Sequence, residues 1–143
     1  MSVNQLNIFL ENKRGTLAEI TEILNANDID LKTLVLADAP DYGVLRLIVS
    51  DPEKAVAVLS ERGVIATVLK ITVARIQNVK GGLSSVLRIL NDSDVNIEYM
   101  YAFVALSGSE AYAALRFGDA DKDKALDALK GNGISLLEDT ANF

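Results

Sequence analysis

Two short segments of the chain have the residue types of an anion receptor. They are Asn12-Lys13-Arg14-Gly15-Thr16-Leu17 and Asn78-Val79-Lys80-Gly81-Gly82-Leu83. In each, a glycine stands just ahead of a run with helical spacing. A strand that turns into a helix there points several unpaired backbone N–H groups at one spot, with the helix dipole behind them. Such a spot favours a carboxylate or another anion. Gly15 and Gly81 let the backbone come close to a bound group, and Gly82 adds to that freedom. The competing reading of both segments is a tight turn that binds nothing, with Arg14 and Lys80 as solvated turn residues.

The rest of the composition narrows the alternatives. Cysteine and histidine are absent. That removes disulfides, thiol nucleophiles and Cys-ligated metal centres. It also removes the usual general base and every Ser-His or Cys-His arrangement. No metal site, no cofactor and no catalysis are expected; any catalysis would rest on Asp, Glu, Lys, Tyr or Ser. The 143 residues carry 14 basic and 20 acidic side chains, a formal charge of −6. A nucleic-acid partner needs a basic face, as does an anionic membrane, so neither is expected. There is no signal-peptide pattern at the N-terminus. No apolar run approaches the ~18–20 residues that span a bilayer. A cytoplasmic protein is expected.

The elements that must carry the two glycine turns are repeated. Residues 11–36 align with 77–102 without a gap at an offset of 66. Asn12/Asn78, Gly15/Gly81, Leu17/Leu83, Ile23/Ile89, Leu24/Leu90, Asn25/Asn91 and Asp28/Asp94 are identical pairs. Further on, Ala55, Leu59 and Gly63 match Ala125, Leu129 and Gly133 at an offset of 70. Leu6, Ile8 and Leu10 alternate as in a half-buried strand. Leu17, Ile20, Ile23 and Leu24 recur at helical spacing, with Thr16 as N-cap and Asn25 near the end. Strands follow at Leu31–Ala37 and Val44–Val49, joined by Ala39-Pro40-Asp41 and Gly43. Ser50-Asp51-Pro52 opens a second helix and Gly63 stops it. A fourth strand runs Val64–Ile71. The second half repeats the series: strand Thr72–Gln77, helix Leu83–Asn91, strand Val95–Leu106, strand Glu110–Phe117, a helix opened by Asp119, and strand Ile134–Asp139.

The fold class is therefore α+β. Two tandem ferredoxin-like βαββαβ domains are expected, at 1–71 and 72–143, each an antiparallel four-stranded sheet with both helices on one face. Tyr99, Tyr101 and Phe103 alternate along one strand. They are read as packing against the other domain or a second subunit, or with one ring toward a ligand, since an aromatic RNA-binding sheet would not be so acidic. Asp119, Asp121 and Asp123 lack the glycine and terminal Glu of a calcium loop, and read as a charged helix start.

The two turns, in this position of a βαββαβ order, resemble the Asn-x-Pro-Gly-x-Leu signature of the ACT domain, a small regulatory module that usually binds amino acids. Arg14 and Lys80 stand where that signature has proline. The resemblance covers nearly the whole chain, as two tandem ACT domains. In the serine-binding ACT domain of phosphoglycerate dehydrogenase, a second asparagine lies eighteen positions after the first. That position is Asn96 in the second copy and Asp30 in the first. The resemblance thus implies ligand contacts from Asn12, Lys13, Arg14, Gly15, Thr16, Leu17 and Asp30, and from Asn78, Val79, Lys80, Gly81, Gly82, Leu83 and Asn96. Asn78 and Asn96 each offer a donor and an acceptor, as an amino acid's paired charges require. Asp30 suits an ammonium group.

The function expected from this resemblance is a regulatory sensor of a free amino acid, built as a homodimer and acting on a separate metabolic enzyme. Two other readings stay open on the sequence. One is a structural subunit that recruits a partner without a ligand. The other is an acylphosphatase-like enzyme using Arg14 and Asn12.

Overall fold

Strand alternation at Leu6, Ile8 and Leu10 and helical spacing at Ile20, Ile23 and Leu24 meet in one apolar layer. The computed structural model describes residues 1–11, 13–38 and 41–140. Its elements are β1 (Val3–Glu11), α1 (Thr16–Ala26), β2 (Leu31–Asp38), β3 (Tyr42–Val49), α2 (Pro52–Glu61), β4 (Ala66–Gln77), α3 (Gly82–Asp92), β5 (Ile97–Val104), β6 (Glu110–Phe117) and α4 (Lys122–Gly131). The chain divides into two compact units, Asn4–Lys70 and Ile71–Asp139, the latter with Met1–Val3.

In the first unit the strand order is β2-β3-β1-β4. Leu6 faces Leu47, and Ile8 faces Leu45, across an antiparallel ladder. Their side chains share one sheet face with Leu10 and Val49 and pack under Ile20, Ile23 and Leu24 of α1 and Ala55 and Leu59 of α2. Each fully buried leucine or isoleucine contributes about 1.5–3 kcal/mol. Asp51 caps α2 by accepting the Lys54 N–H at 3.0 Å, with Pro52 in the first turn.

The second unit has the order β4-β6-β5. Ala74, Ile76, Ala113, Leu115 and Phe117 line its helix-facing side, under Val86 and Leu90 of α3 and Ala125 and Leu129 of α4. Among the described residues no helix is long and apolar enough to cross a membrane.

The described chain has six strands where two sheets of four were expected. The strands expected at Val64–Ile71 and Thr72–Gln77 are one uninterrupted strand, β4, which starts at Ala66, with Val64 and Ile65 ahead of it. Nothing in its β-branched sequence breaks it. Ile134–Asp139 does not form a strand. It holds a single bridge, Ala74↔Leu136, with Arg75 N–H donating to the Ser135 carbonyl and Leu137 N–H to that of Val73, both at 2.9 Å.

Helix ends differ as well. Gly15, not Thr16, is the N-cap of α1. The Thr16 hydroxyl instead donates to the Lys13 carbonyl at 3.0 Å. Asp121, not Asp119, precedes α4. Asn25 and Asn91 lie inside their helices, and Asp28 and Asp94 just beyond them take the left-handed conformation, with φ of 57° and 55°. The expected Ala39-Pro40 turn lies outside the described residues.

Asp94 carries two small penalties. A non-glycine residue in the left-handed region costs energy, and a carboxylate opposes the dipole at a helix C-terminus. The last turn of α3 has no basic residue, and the Lys124 ammonium, which donates to the Asp94 carbonyl at 2.7 Å, offsets only part of the second penalty. Asp94→Gly is expected to gain about 0.5–1 kcal/mol net of glycine's unfolded-state entropy. A thermal melt should show a midpoint raised by roughly 2–4 °C; a lower midpoint contradicts the assignment.

Candidate functional site

The two glycine corners are built alike. After β1, Lys13 N–H returns to the Glu11 carbonyl at 2.8 Å. Gly15 then takes φ 89°, ψ −14°, and the first helical bond runs from Glu19 N–H to the Gly15 carbonyl at 2.9 Å. After β4, Val79 N–H returns to the Gln77 carbonyl at 2.9 Å, and Gly82 N–H donates to the Val79 carbonyl at 3.1 Å. Gly81 takes φ 83°, ψ −5°. The carbonyl of Gly81 accepts both the N–H and the hydroxyl of Ser85, at 2.9 and 2.8 Å. Among the described residues neither helix has a side-chain cap at this end. The amides ahead of Glu19 and Ser85 therefore include groups with no helical acceptor.

A cleft flanks each corner. In the first unit it measures about 540 Å³ and lies between β1, the start of α1 and the segment after α2. In the second it measures about 430 Å³ and lies between β4, the start of α3 and residues 133–135. The linings correspond through the repeat: Phe9 with Arg75, Glu11 with Gln77, Thr16 with Gly82, Glu19 with Ser85, Gly63 with Gly133 and Ile65 with Ser135. The same concavity thus recurs with different chemistry at its walls.

The expected site residues are distributed unevenly. Asn12 lies outside the described residues. Lys13 pairs with Glu11 at 3.2 Å in solvent. Arg14, Val79, Lys80 and Gly81 are exposed. Leu17 and Leu83 pack against the two apolar cores. Thr16 lies at the first cleft and Gly82 at the second.

Asp30 forms an ion pair with Lys32 at 2.8 Å, and its N–H donates to the Ser50 hydroxyl at 2.9 Å. It lines a separate hollow with Thr21 and Asp28. Asn96 is exposed, and its N–H donates to the Asp121 carboxylate at 3.1 Å. That bond, with Lys124 beside it, holds the Asp121 carboxyl below its usual value of 3.8.

Asn78 is anchored. Its Nδ2 donates to the Gly108 carbonyl at 2.9 Å, and its N–H to that of Ser109 at 3.3 Å. This fixes the corner beside the β5–β6 hairpin, with Oδ1 accepting no bond among the described residues. Asn96 precedes β5 at the other end. Eight residues of strand separate the two, a span of roughly 25 Å. The unit therefore does not bring Asn78 and Asn96 together around one small molecule.

A family model described as an ACT domain pair matches residues 1–141. The chain belongs to the ACT domain pair family. This ACT pair is also similar to protein BT0572 from Bacteroides thetaiotaomicron, at 39% identity and a TM-score of 0.86, over 96% of this chain and 92% of that one. Two regulatory subunits of aspartate kinase share the fold, each at 16% identity. The ligand-free one from Thermus thermophilus gives a TM-score of 0.64 over 91% of this chain and 92% of that one. The one from Thermus flavus gives 0.57 over 90% of each. A search of curated proteins finds no match.

The resemblance-based site of the ACT pair omits Arg75 and Glu110. Both line the second cleft, with Arg75 Nε 3.6 Å from Glu110 Oε2. A signal was present: Arg75 is the only charged residue in the apolar run Ile71–Ile76. Glu110 is brought to it by strand register, since it pairs with Gln77.

Proposed function

We propose that this ACT pair is a non-catalytic cytoplasmic regulator that binds a free amino acid at its strand–helix glycine corners. What supports the reading is the left-handed glycine with open helix amides beside a cleft, present at the same place in both units. The open amides suit the ligand's carboxylate. Asn78 Oδ1 suits its ammonium group. We assign the ligand contacts to the turns Asn12–Leu17 and Asn78–Leu83 with Asp30 and Asn96, and the domains to 1–71 and 72–143. The span between Asn78 and Asn96 means that one ligand touches both only if a second chain supplies Asn96. A homodimer meets that condition. The ligand then stabilises one arrangement of the dimer by its differential affinity, and a separate metabolic enzyme reads the arrangement.

The test is a thermal-shift panel of the twenty amino acids. A ligand at about 100 times its dissociation constant adds ~2.7 kcal/mol, a rise of roughly 5–10 °C. One or a few amino acids are expected to give that rise. Asn96→Ala is expected to abolish it more fully than Asp30→Ala, whose carboxylate is already paired with Lys32. A flat panel contradicts the proposal.

A further inference from the structure

The second corner is tied to the β5–β6 hairpin through one side chain. Asn78 Nδ2 donates to the Gly108 carbonyl at 2.9 Å. The backbone bond beside it, from Asn78 N–H to the Ser109 carbonyl, is 3.3 Å long, past the usual range for N–H···O. The side chain therefore carries most of the tie. A carbonyl only accepts, so the nitrogen of the Asn78 amide must face Gly108. Its oxygen is left for another donor, and Oδ1 accepts no bond among the described residues.

The corner end of this tie is held by its own backbone. Val79 N–H is bound to the Gln77 carbonyl and Gly82 N–H to the Val79 carbonyl, at 2.9 and 3.1 Å. The hairpin end depends more on the tie. Its turn is closed by Gly108 N–H on the Ala105 carbonyl and by Ala105 N–H on the Glu110 carbonyl, both at 2.9 Å. Its tip residue Leu106 is 98% exposed, so packing does not hold it.

An amide that accepts from a cation at its oxygen becomes a better donor at its nitrogen, because the bonds at its two ends polarise one another. It also loses the freedom to rotate off its acceptor. A group donating to Asn78 Oδ1 thus strengthens the bond to Gly108. We propose that Asn78 couples the second corner to the hairpin, so that occupancy of the corner is reported as order in residues 105–109. The proposal rests on the amino-acid reading above, in which the ligand's ammonium group meets Oδ1, and adds how the unit transmits its occupancy. Coupling of this kind is reciprocal, so a hairpin held firm also raises affinity at the corner.

Residue-resolved hydrogen exchange on the full chain tests this, alone and with whichever of the twenty amino acids gives the largest thermal shift. Ligand binding slows globally opening core amides in any case, so the readout is the locally opening pair Asn78 N–H and Ala105 N–H. Saturating ligand is expected to slow both by roughly 5-fold or more. Asn78→Asp keeps an acceptor for the ammonium and loses the donor to Gly108. With that variant saturated, the hairpin is expected to exchange as it does without ligand. Gly108→Ala approaches from the other side. A Cβ there meets nothing within 4 Å, and only the left-handed backbone, at φ 75°, is penalised. Gly108 is not among the assigned ligand contacts, yet the affinity measured by calorimetry is expected to fall several-fold. A ligand that binds the wild type without slowing hairpin exchange overturns the coupling and leaves the amino-acid reading standing. Equal slowing in Asn78→Asp, or unchanged affinity in a Gly108→Ala chain whose hairpin exchanges faster, also overturns it. Melting of the unliganded variants reports their folding; should Asn78→Asp fail to fold or to bind, Gly108→Ala decides. Absence of binding by any amino acid overturns both the coupling and the reading it rests on.

Discussion

Tyr112→Ala is expected to lower stability by about 3–5 kcal/mol, the cost of emptying a large aromatic site. Tyr112 sits in β6 and is 1% exposed. It lies opposite Arg75 on one side and Phe103 on the other. Its ring centroid is 5.3 Å from that of Phe103, tilted by 38°, a geometry that adds attraction beyond area alone. The midpoint of a thermal melt should fall by roughly 10 °C or more. Tyr112→Phe separates the contributions. It keeps the packing and removes only the hydroxyl, for about 1 kcal/mol. A loss below about 1 kcal/mol in the alanine variant would show that the ring is not packed as described. The same contact bears on the aromatic stripe of β5. Tyr99, Tyr101 and Phe103 are half-buried, and Tyr101 stacks on Phe103 at 6.5 Å. Those ring contacts lie within β5 and β6.

Gly82→Ala is the second large effect, and its sign is diagnostic. At an ordinary position near a helix start, replacing glycine by alanine gains up to about 1 kcal/mol. Here a Cβ on Gly82 would collide with the Gln77 carbonyl oxygen. That carbonyl already accepts the Val79 N–H, and Gly82 N–H is tied to the Val79 carbonyl, so the turn cannot relax without losing a bond. A loss of about 1–3 kcal/mol is expected. The first unit provides the control, because Thr16 occupies the matching place and turns its hydroxyl onto Lys13. Thr16→Ala should therefore cost about 1 kcal/mol at most. Denaturant melts of the two variants decide the matter. Equal, small losses would mean that the second corner is no tighter than the first. A distorted second corner should also lose its ligand response, because the open amides follow directly on Gly82.

The cores of both units were legible in the sequence because they depend on period alone. Leu6, Ile8 and Leu10, and Ile20, Ile23 and Leu24, needed no knowledge of what lay opposite. The glycine corners were legible for the same local reason. What failed depended on partners. Ile134–Asp139 alternates like a strand, but strand formation needs a continuous ladder, and only Ser135, Leu136 and Leu137 make the recorded contacts with β4. The boundary placed between the strands Val64–Ile71 and Thr72–Gln77 followed from the repeat, whereas the backbone responds to residue type and runs straight through. Thr16 has the composition of an N-cap, but a left-handed Gly15 takes that place. The Arg75–Glu110 pair joins residues 35 positions apart in sequence. Only the register of β4 against β6 brings them together. The pairing of Asn78 with Asn96 was carried by resemblance, and the length of β5 separates them within the unit.

The central claim is that a glycine corner is a receptor and not merely a bend. A crystal structure of the chain grown with the amino acid that gives the largest thermal shift tests it most directly. Density for an amino acid is expected beside Gly81 and Gly82, its carboxylate toward the first amides of α3 and its ammonium toward Asn78 Oδ1. Density for the ligand elsewhere, with the second cleft holding only water or a neighbouring side chain, would contradict it.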